Sequence, residues 1–342
     1  MNKKIIYIAI AFIFLIGGIT GFNYYQKIFG KAVTKSGAVY IKSDDTFDDL
    51  KKQLANHLNT PDDFIWVAKK KKFTKPKGGK YILKKGMSLN DMVNLLRSGN
   101  QTPIKLSFNN QDSLEKLAGR IAQQIETDSI SLIKVMKDEV FLTKNSFNQK
   151  NALGMYIPNS YEFYWNTSAE TFRTKMLREY NRFWNSSRLE KAKKLNLSKK
   201  EVSTLASIVQ KETAKKSERP IVAGLYLNRL RDNWPLQADP TVIYCIKQIK
   251  GQDFIVKRVL NKDLKIKSPY NTYQNTGLPP SLIAMPDVSS IDAVLNYKKH
   301  NYYYMCASID KIGFHDFASS LAQHNRNAAK YQRWISKRGI NR

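Results

Sequence analysis

The chain opens on a short basic start and then an uncharged, mostly apolar run from Ile5 to Phe22, followed at once by Tyr24 and Tyr25. As a helix that run is about 27 Å long, just enough to cross a bilayer, and the tyrosines fall where an interfacial belt belongs. Three later stretches share another pattern, a short β-like run followed by a helix start: AVYIKSDDTFDDLKKQL, KYILKKGMSLNDMVNLL and PIKLSFNNQDSLEKLAGRI. In each, a Thr or Ser precedes an apolar and acidic first turn, which predicts an N-cap. A further helix, PDDFIWVAKKKK, lies between the first two, so the units keep no single period and a solenoid is excluded. SGNQTP breaks the pattern near residues 99–103 and predicts a boundary. Beyond it, helices are expected around 129–137 and 168–185, with the turn-rich LGMYIPNSYEFYWNTS between them.

The stretch SKKEVSTLASIVQKETAKKSERP, residues 198–220, fixes the phase of a helix. Ser198 and Glu201 have capping-box spacing, and Leu197 can staple onto Val202. Apolar side chains then fall at Val202, Leu205, Ile208 and Val209, and the next place on that stripe holds Glu212. A helical glutamate is ordinarily a surface residue, while one that ends an apolar stripe can equally be an inward-facing acid. Ser217 is expected to cap the next helix, with Pro220 in its first turn, and Asp239 a later one, with Pro240 at the first helical position. SPYNTYQNTGLPP, full of hydroxyls, amides and prolines, reads either as a ligand-holding loop or as an ordinary surface loop.

The 342 residues carry a formal net charge of +29, which raises the question of an anionic partner. The lysines are spread along nearly every segment and no RNP signature, zinc finger or basic zipper is present, so nucleic acid is set aside. Lipid headgroups and the carboxylates of cell-wall peptides are the natural anions outside a membrane. The densest run, VAKKKKFTKPKGGKY, is either a solvated helix end and loop or a contact with an anionic surface. Cys245 and Cys306 lack CxxC spacing and the four histidines lack an HExxH arrangement, so no metal site and no cofactor is expected; whether the two cysteines pair stays open. A cleaved signal peptide would have a shorter apolar region ending in an A-x-A-like site, which is absent, so the amino terminus reads as an uncleaved anchor. Lysines flank both its ends, and no second span returns the chain. A single pass through the inner (cytoplasmic) membrane with an extracytoplasmic, periplasmic body is therefore expected.

LASIVQKETAKKSERPIVAGLYLNRL, LQADPTVIY, SPYNTYQNTGLPP and FHDFASSLAQHNRNAAKYQ, in that order, resemble the motifs of the endolytic peptidoglycan transglycosylases of the MltG or YceG-like type. LGMYIPNSYEF is similar to that family's EGxxxPDTY element, and GGKYILKKGMSLNDMVNLLRSG to its LysM-like subdomain. The resemblance implies an α+β chain with a membrane anchor and stalk at 1–34, a small LysM-like α+β subdomain at 35–102 and a larger mixed α+β catalytic domain at 103–342. It puts the catalytic glutamate at Glu212, with Gln210 where the motif carries its other acid and Leu153 and Asn159 where the PDTY element often has carboxylates. Ser281 and Leu282 depart from the usual turn after GLPP, and residues 311–313 from a more common Asp-Gly.

The implied activity is cleavage of the bond between N-acetylmuramic acid and N-acetylglucosamine in nascent peptidoglycan strands, leaving a 1,6-anhydro end, beside the wall-synthesis machinery. The sugar's own 6-hydroxyl attacks, so one glutamate with a raised pKa can serve as acid and then as base. Asn228, Gln237, Tyr270, Asn271 and Tyr273 are expected around the sugar, because amides and tyrosines suit hydroxyl- and acetamido-bearing ligands. Asp239 either assists the chemistry or caps its helix, and Glu162 is the candidate for a second acid. A lysozyme-type hydrolase and a non-cutting wall-binding scaffold are the competing readings.

Overall fold

The computed structural model describes residues 3–338. Helix α1 (Lys3–Phe29) has no buried residue, and it is long and apolar enough to cross a membrane. The rest is a mixed α+β chain whose strands form three two-stranded sheets among the described residues. It divides into two compact units: unit 1 runs to Leu106 and adds Ala122–Asp128 and Ser160–Ser168, and unit 2 holds the remainder. β3 (Ile104–Phe108) pairs with β4 (Asn159–Phe163), and most of that distant strand accordingly belongs to unit 1.

In unit 1 the chain runs β1 (Gly37–Ile41), α2 (Phe47–Leu54), α3 (Pro61–Lys70), β2 (Gly79–Leu83) and α4 (Leu89–Ser98). β1 and β2 are antiparallel with Val39 opposite Tyr81, and their alternate residues Val39, Ile41, Tyr81 and Leu83 are buried. Leu50, Leu54, Phe64, Val67, Met92 and Leu96 complete that core from the helices. The caps stand where the sequence puts them. Thr46 and Asp49 form a full capping box, Ser88 accepts from the Asp91 N–H, and Gly99, at φ 74°, ends α4 in the left-handed conformation glycine tolerates. The expected stalk is part of this unit, since Val33 is buried and its N–H donates to the Met87 carbonyl.

Unit 2 carries α5 (Leu114–Ala122), α6 (Ser129–Met136), α7 (Glu139–Lys144), α8 (Ala169–Phe183), α9 (Ser186–Lys194), α10 (Lys199–Glu212), α11 (Arg219–Arg231), α12 (Asp239–Lys250) and α13 (Val288–Leu295). The hairpin β5 (Tyr304–Ala307) and β6 (His315–Ala318) and the last helix, α14 (Leu321–Lys337), follow. The Ser198–Glu201 capping box is present in both directions. Every residue from Val202 to Gln210 is buried, however, so α10 is a central helix packed against α9, α11, α12 and α13, not one with a single inward stripe. Its polar residues tolerate this because their hydroxyls bond nearby carbonyls: Ser203 Oγ donates to Lys199 O and Ser207 Oγ to Thr204 O.

Two helix starts differ from expectation. α11 is capped by Glu218, not Ser217; its side chain makes no cap bond because His315 engages it. α12 is capped by Ala238 (φ −94°, ψ 112°), which puts Asp239 and Pro240 inside the first turn and leaves the Asp239 carboxylate available to other partners.

Gly224 marks the closest approach of α11 to the segment leading into β5, since a β-carbon there would lie 2.3 Å from the Lys298 carbonyl oxygen and 2.7 Å from His300 Nε2. Gly224→Ala is expected to destabilise unit 2 by about 1–3 kcal/mol, by forcing that segment off the helix. Denaturant unfolding of the purified protein measures this, and an unchanged midpoint would contradict the packing.

Candidate active site

α10 stops at Glu212 because Thr213 turns extended (φ −137°, ψ 132°) while its N–H still bonds the Val209 carbonyl. The Glu212 carboxyl therefore sits at the end of a buried helix. It lines a cavity of about 470 Å³ with Tyr226 and Arg229 of α11, Asp239 of α12, Tyr273, Tyr304 and His315. All of these residues lie in unit 2.

Tyr226 is almost fully buried, and its hydroxyl donates to Glu212 Oε1 at 2.5 Å. Burial pushes the Glu212 carboxyl up to about 7. The Tyr226 bond opposes the rise, the Asp239 carboxylate adds to it, and His315 and Arg229 pull the other way. Burial also raises the Tyr226 hydroxyl well above its ordinary range, so it stays a donor at neutral pH.

A second carboxylate stands behind the histidine. Glu218, 3% exposed, accepts from the His315 backbone N–H at 2.6 Å and pairs with His315 Nδ1 at 2.9 Å. Burial works against charge on His315, but the Glu218 carboxylate outweighs it and holds the imidazole above its usual range. The same contacts hold Glu218 below the usual carboxylate range despite its burial. With Nδ1 occupied, the imidazole has Nε2 left for other partners.

The cavity walls are fixed by buried polar bonds. Arg229 Nε donates to Tyr303 O at 2.8 Å and its guanidinium to Leu236 O at 2.7 Å, tying α11 to the loop before α12 and to the start of β5. Gln237 is held in the left-handed region (φ 49°) by its N–H bond to Thr272 O, and Ala238 N–H donates to Thr272 Oγ1. That stitching sets Tyr273 beside α12, where its hydroxyl donates to Asp239 Oδ1 at 2.7 Å.

Of the expected ligand-binding residues, Gln237, Asp239 and Tyr273 line the cavity with Glu212, while Asn228, Tyr270 and Asn271 do not. Asn228 is buried, and its amide donates to the carbonyls of His300 and Tyr302. Asn271 is fully buried, donates to Leu264 O and Ile266 O and accepts from Tyr273 N–H. The Tyr270 hydroxyl meets Ser281 Oγ at 2.7 Å. These three hold the loops that carry the lining residues. Gln210 likewise clamps: its amide donates to Met285 O and its oxygen accepts from Asp287 N–H. Glu162 is exposed on β4 and does not line the cavity. Both cysteines are free, Cys245 buried in α12 and Cys306 on the cavity wall.

Sequence reasoning gave no role to Tyr226, Glu218 or His315. Tyr226 follows Glu212 by fourteen positions and reaches it only because α11 packs back on α10, which no periodicity encodes. Glu218 lies inside the stretch that identifies Glu212, in a run of charged residues that gives no sign of its burial.

A family model described as YceG-like family matches residues 39–330. The endolytic murein transglycosylase of Bacillus subtilis (strain 168) is 34% identical over 269 residues, covering 74% of this chain and 72% of that protein. The protein of the same name from Streptococcus pneumoniae (strain D39) is 29% identical over 295 residues, 78% of this chain and 53% of that one. The crystal structure of a yceG-like protein from Listeria monocytogenes aligns with a TM-score of 0.57 and 27% identity, over 85% of this chain and 98% of that one.

Because the Glu212 carboxyl is raised from 4.5 to about 7 in the folded chain, the folded state binds the extra proton between those values and the unfolded state does not. Stability therefore falls as pH rises through that window and levels off above it. Glu212→Gln, which cannot ionise, is expected to be more stable than the parent by about 3 kcal/mol at pH 8 and equal to it near pH 4. Paired denaturant titrations at the two pH values test this, and a constant difference contradicts the raised pKa.

Proposed function

The chain belongs to the YceG-like family, and from that premise we propose that it is an endolytic murein transglycosylase that cuts nascent glycan strands and leaves a 1,6-anhydro-N-acetylmuramic acid end. The observation that carries the reading is the partly buried Glu212 carboxyl, raised to about 7 in a cavity large enough for sugar. Tyr226 donates to Oε1, so the carboxyl proton resides on Oε2. That proton passes to the glycosidic oxygen as its bond to C1 of the muramic acid breaks. The 6-hydroxyl of the same sugar then bonds to C1 and returns its proton to Glu212, so the cycle consumes no water and needs no second nucleophile. Tyr226 orients the carboxyl, and Tyr273, Gln237 and Asp239 meet the sugar.

Asp239 is the one other carboxylate on the cavity wall among the described residues, which favours lysozyme-type hydrolysis as the second reading. Mass spectrometry of digested glycan separates the two, because hydrolysis gives reducing ends. Glu212→Gln is expected to lower release of anhydro ends by about a hundred- to ten-thousand-fold while the protein stays folded. Undiminished release, or reducing ends from the parent protein, contradicts the proposal.

Glu218 and His315 act as positioning residues. The charged imidazole favours the Glu212 carboxylate, so Glu218→Gln, which lowers the His315 pKa, lets Glu212 hold its proton to higher pH. The alkaline limb of kcat is therefore expected to move upward in Glu218→Gln, with KM little changed. A pH–rate profile that coincides with the parent's contradicts this role.

The body is proposed to work outside the cytoplasmic membrane, in the periplasm, held by α1 as a single-pass anchor. The order β1–α2–α3–β2, with helices packed against an antiparallel pair, supports reading residues 35–102 as a LysM-like part that docks glycan, and residues 103–342 as the catalytic domain.

A further inference from the structure

We infer that unit 1 is seated on anionic phospholipid headgroups of the leaflet from which α1 emerges, through a collar of lysines around the helix exit: Lys27, Lys31, Lys70, Lys84 and Lys85. The inference rests on the reading of α1 as an uncleaved anchor and extends it to a protein–lipid surface.

If Ile5 to Phe22 fill the hydrocarbon, Tyr24 lies about 3 Å beyond it, within the headgroup layer, and Phe29 about 10 Å beyond it, just outside that layer. Unit 1 already grips the helix at that depth. The Tyr24 ring stands 5.6 Å from Trp66 of α3, Lys27 pairs with Asp63 at 2.5 Å, and Ile28 packs on the unit 1 core. Trp66 is thus at interfacial level, where its amphipathic ring is favoured, with the Lys27 and Lys70 ammonium groups 5.0 and 5.8 Å from its centroid. On leaving the helix the chain is stitched to a second basic element. Ala32 and Val33 N–H donate to Met87 O, and Gly86 N–H donates to Val33 O. This holds the turn bearing Lys84 and Lys85 beside the exit, with Lys31 alongside Gly86.

Of the acids near this face, Asp63 is engaged by Lys27 and Asp62 by Lys51, while Asp91, in the first turn of α4 beside the Lys31–Ser88 bridge, accepts from Ser88 and Asn90. Lys31, Lys70, Lys84 and Lys85 are exposed, and none of them is ion-paired among the described residues. A tryptophan at interfacial level and four unpaired ammonium groups just outside it, facing the headgroup surface, suit a negatively charged leaflet.

The test reconstitutes the full-length protein in nanodiscs of phosphatidylcholine alone and of phosphatidylcholine with about one third phosphatidylglycerol. Brief lysine acetylation is read by mass spectrometry, and carbonate extraction of membranes is run in parallel. The expected result is membrane-retained protein in which Lys31, Lys70, Lys84 and Lys85 react about threefold or more slowly with phosphatidylglycerol present, relative to the averaged lysines of unit 2, the protection fading at high salt. Retained protein whose collar reacts equally in both lipids overturns the headgroup contact and leaves the anchor standing. Release by carbonate overturns the anchor reading and the contact with it.

Discussion

One carboxyl kept from full hydration is the constraint on which the site depends. Glu212 closes a helix that is buried from Val202 to Gln210, so its side chain has protein where most glutamates have water. The helix adds to the effect, because its carboxyl end is the negative end and disfavours another negative charge there. Tyr226 offers one hydrogen bond in compensation, enough to orient the group without removing the pressure toward the neutral form. The other polar bonds of the region preserve this balance. Arg229 and Asn228 fasten α11 to the approach to β5, Glu218 fastens His315, and Thr272 fastens the loop that carries Tyr273.

Local signals were legible in the chain wherever they were self-contained. The capping boxes at Thr46 and Ser198, the β-then-helix units and the apolar amino-terminal run are each written within a few adjacent residues. Glu212 was legible for the same reason, being one place on a phased helix. The assignments that moved were those requiring the fold. An amide-rich loop suggested ligand contacts at Asn271 and Tyr270, but amides also satisfy buried carbonyls, and Asn271 does so with Leu264 and Ile266. Asp239 before Pro240 resembled a cap, and one residue of difference at the helix start turned it from a backbone partner into a wall of the cavity. Tyr226 and His315 reach the site only by packing across elements, and no spacing in the chain announces such a meeting.

A substrate that carries its own nucleophile changes what the protein must supply. An enzyme that activates water needs two carboxyl groups in fixed relation, whereas an intramolecular attack by a sugar hydroxyl asks for one proton donor and a shaped cavity. The density of structural hydrogen bonds around a single raised acid fits the second requirement. Association with a membrane would add a further restriction, on where along a strand that cavity can act.

The most direct measurement is the infrared titration of the Glu212 carboxyl, read as the difference between the parent protein and Glu212→Gln in the protonated-carboxyl stretching region. The account predicts a band that persists to neutral pH and titrates with a midpoint near 7. A midpoint near 4.5, the value of a freely hydrated glutamate, would contradict it.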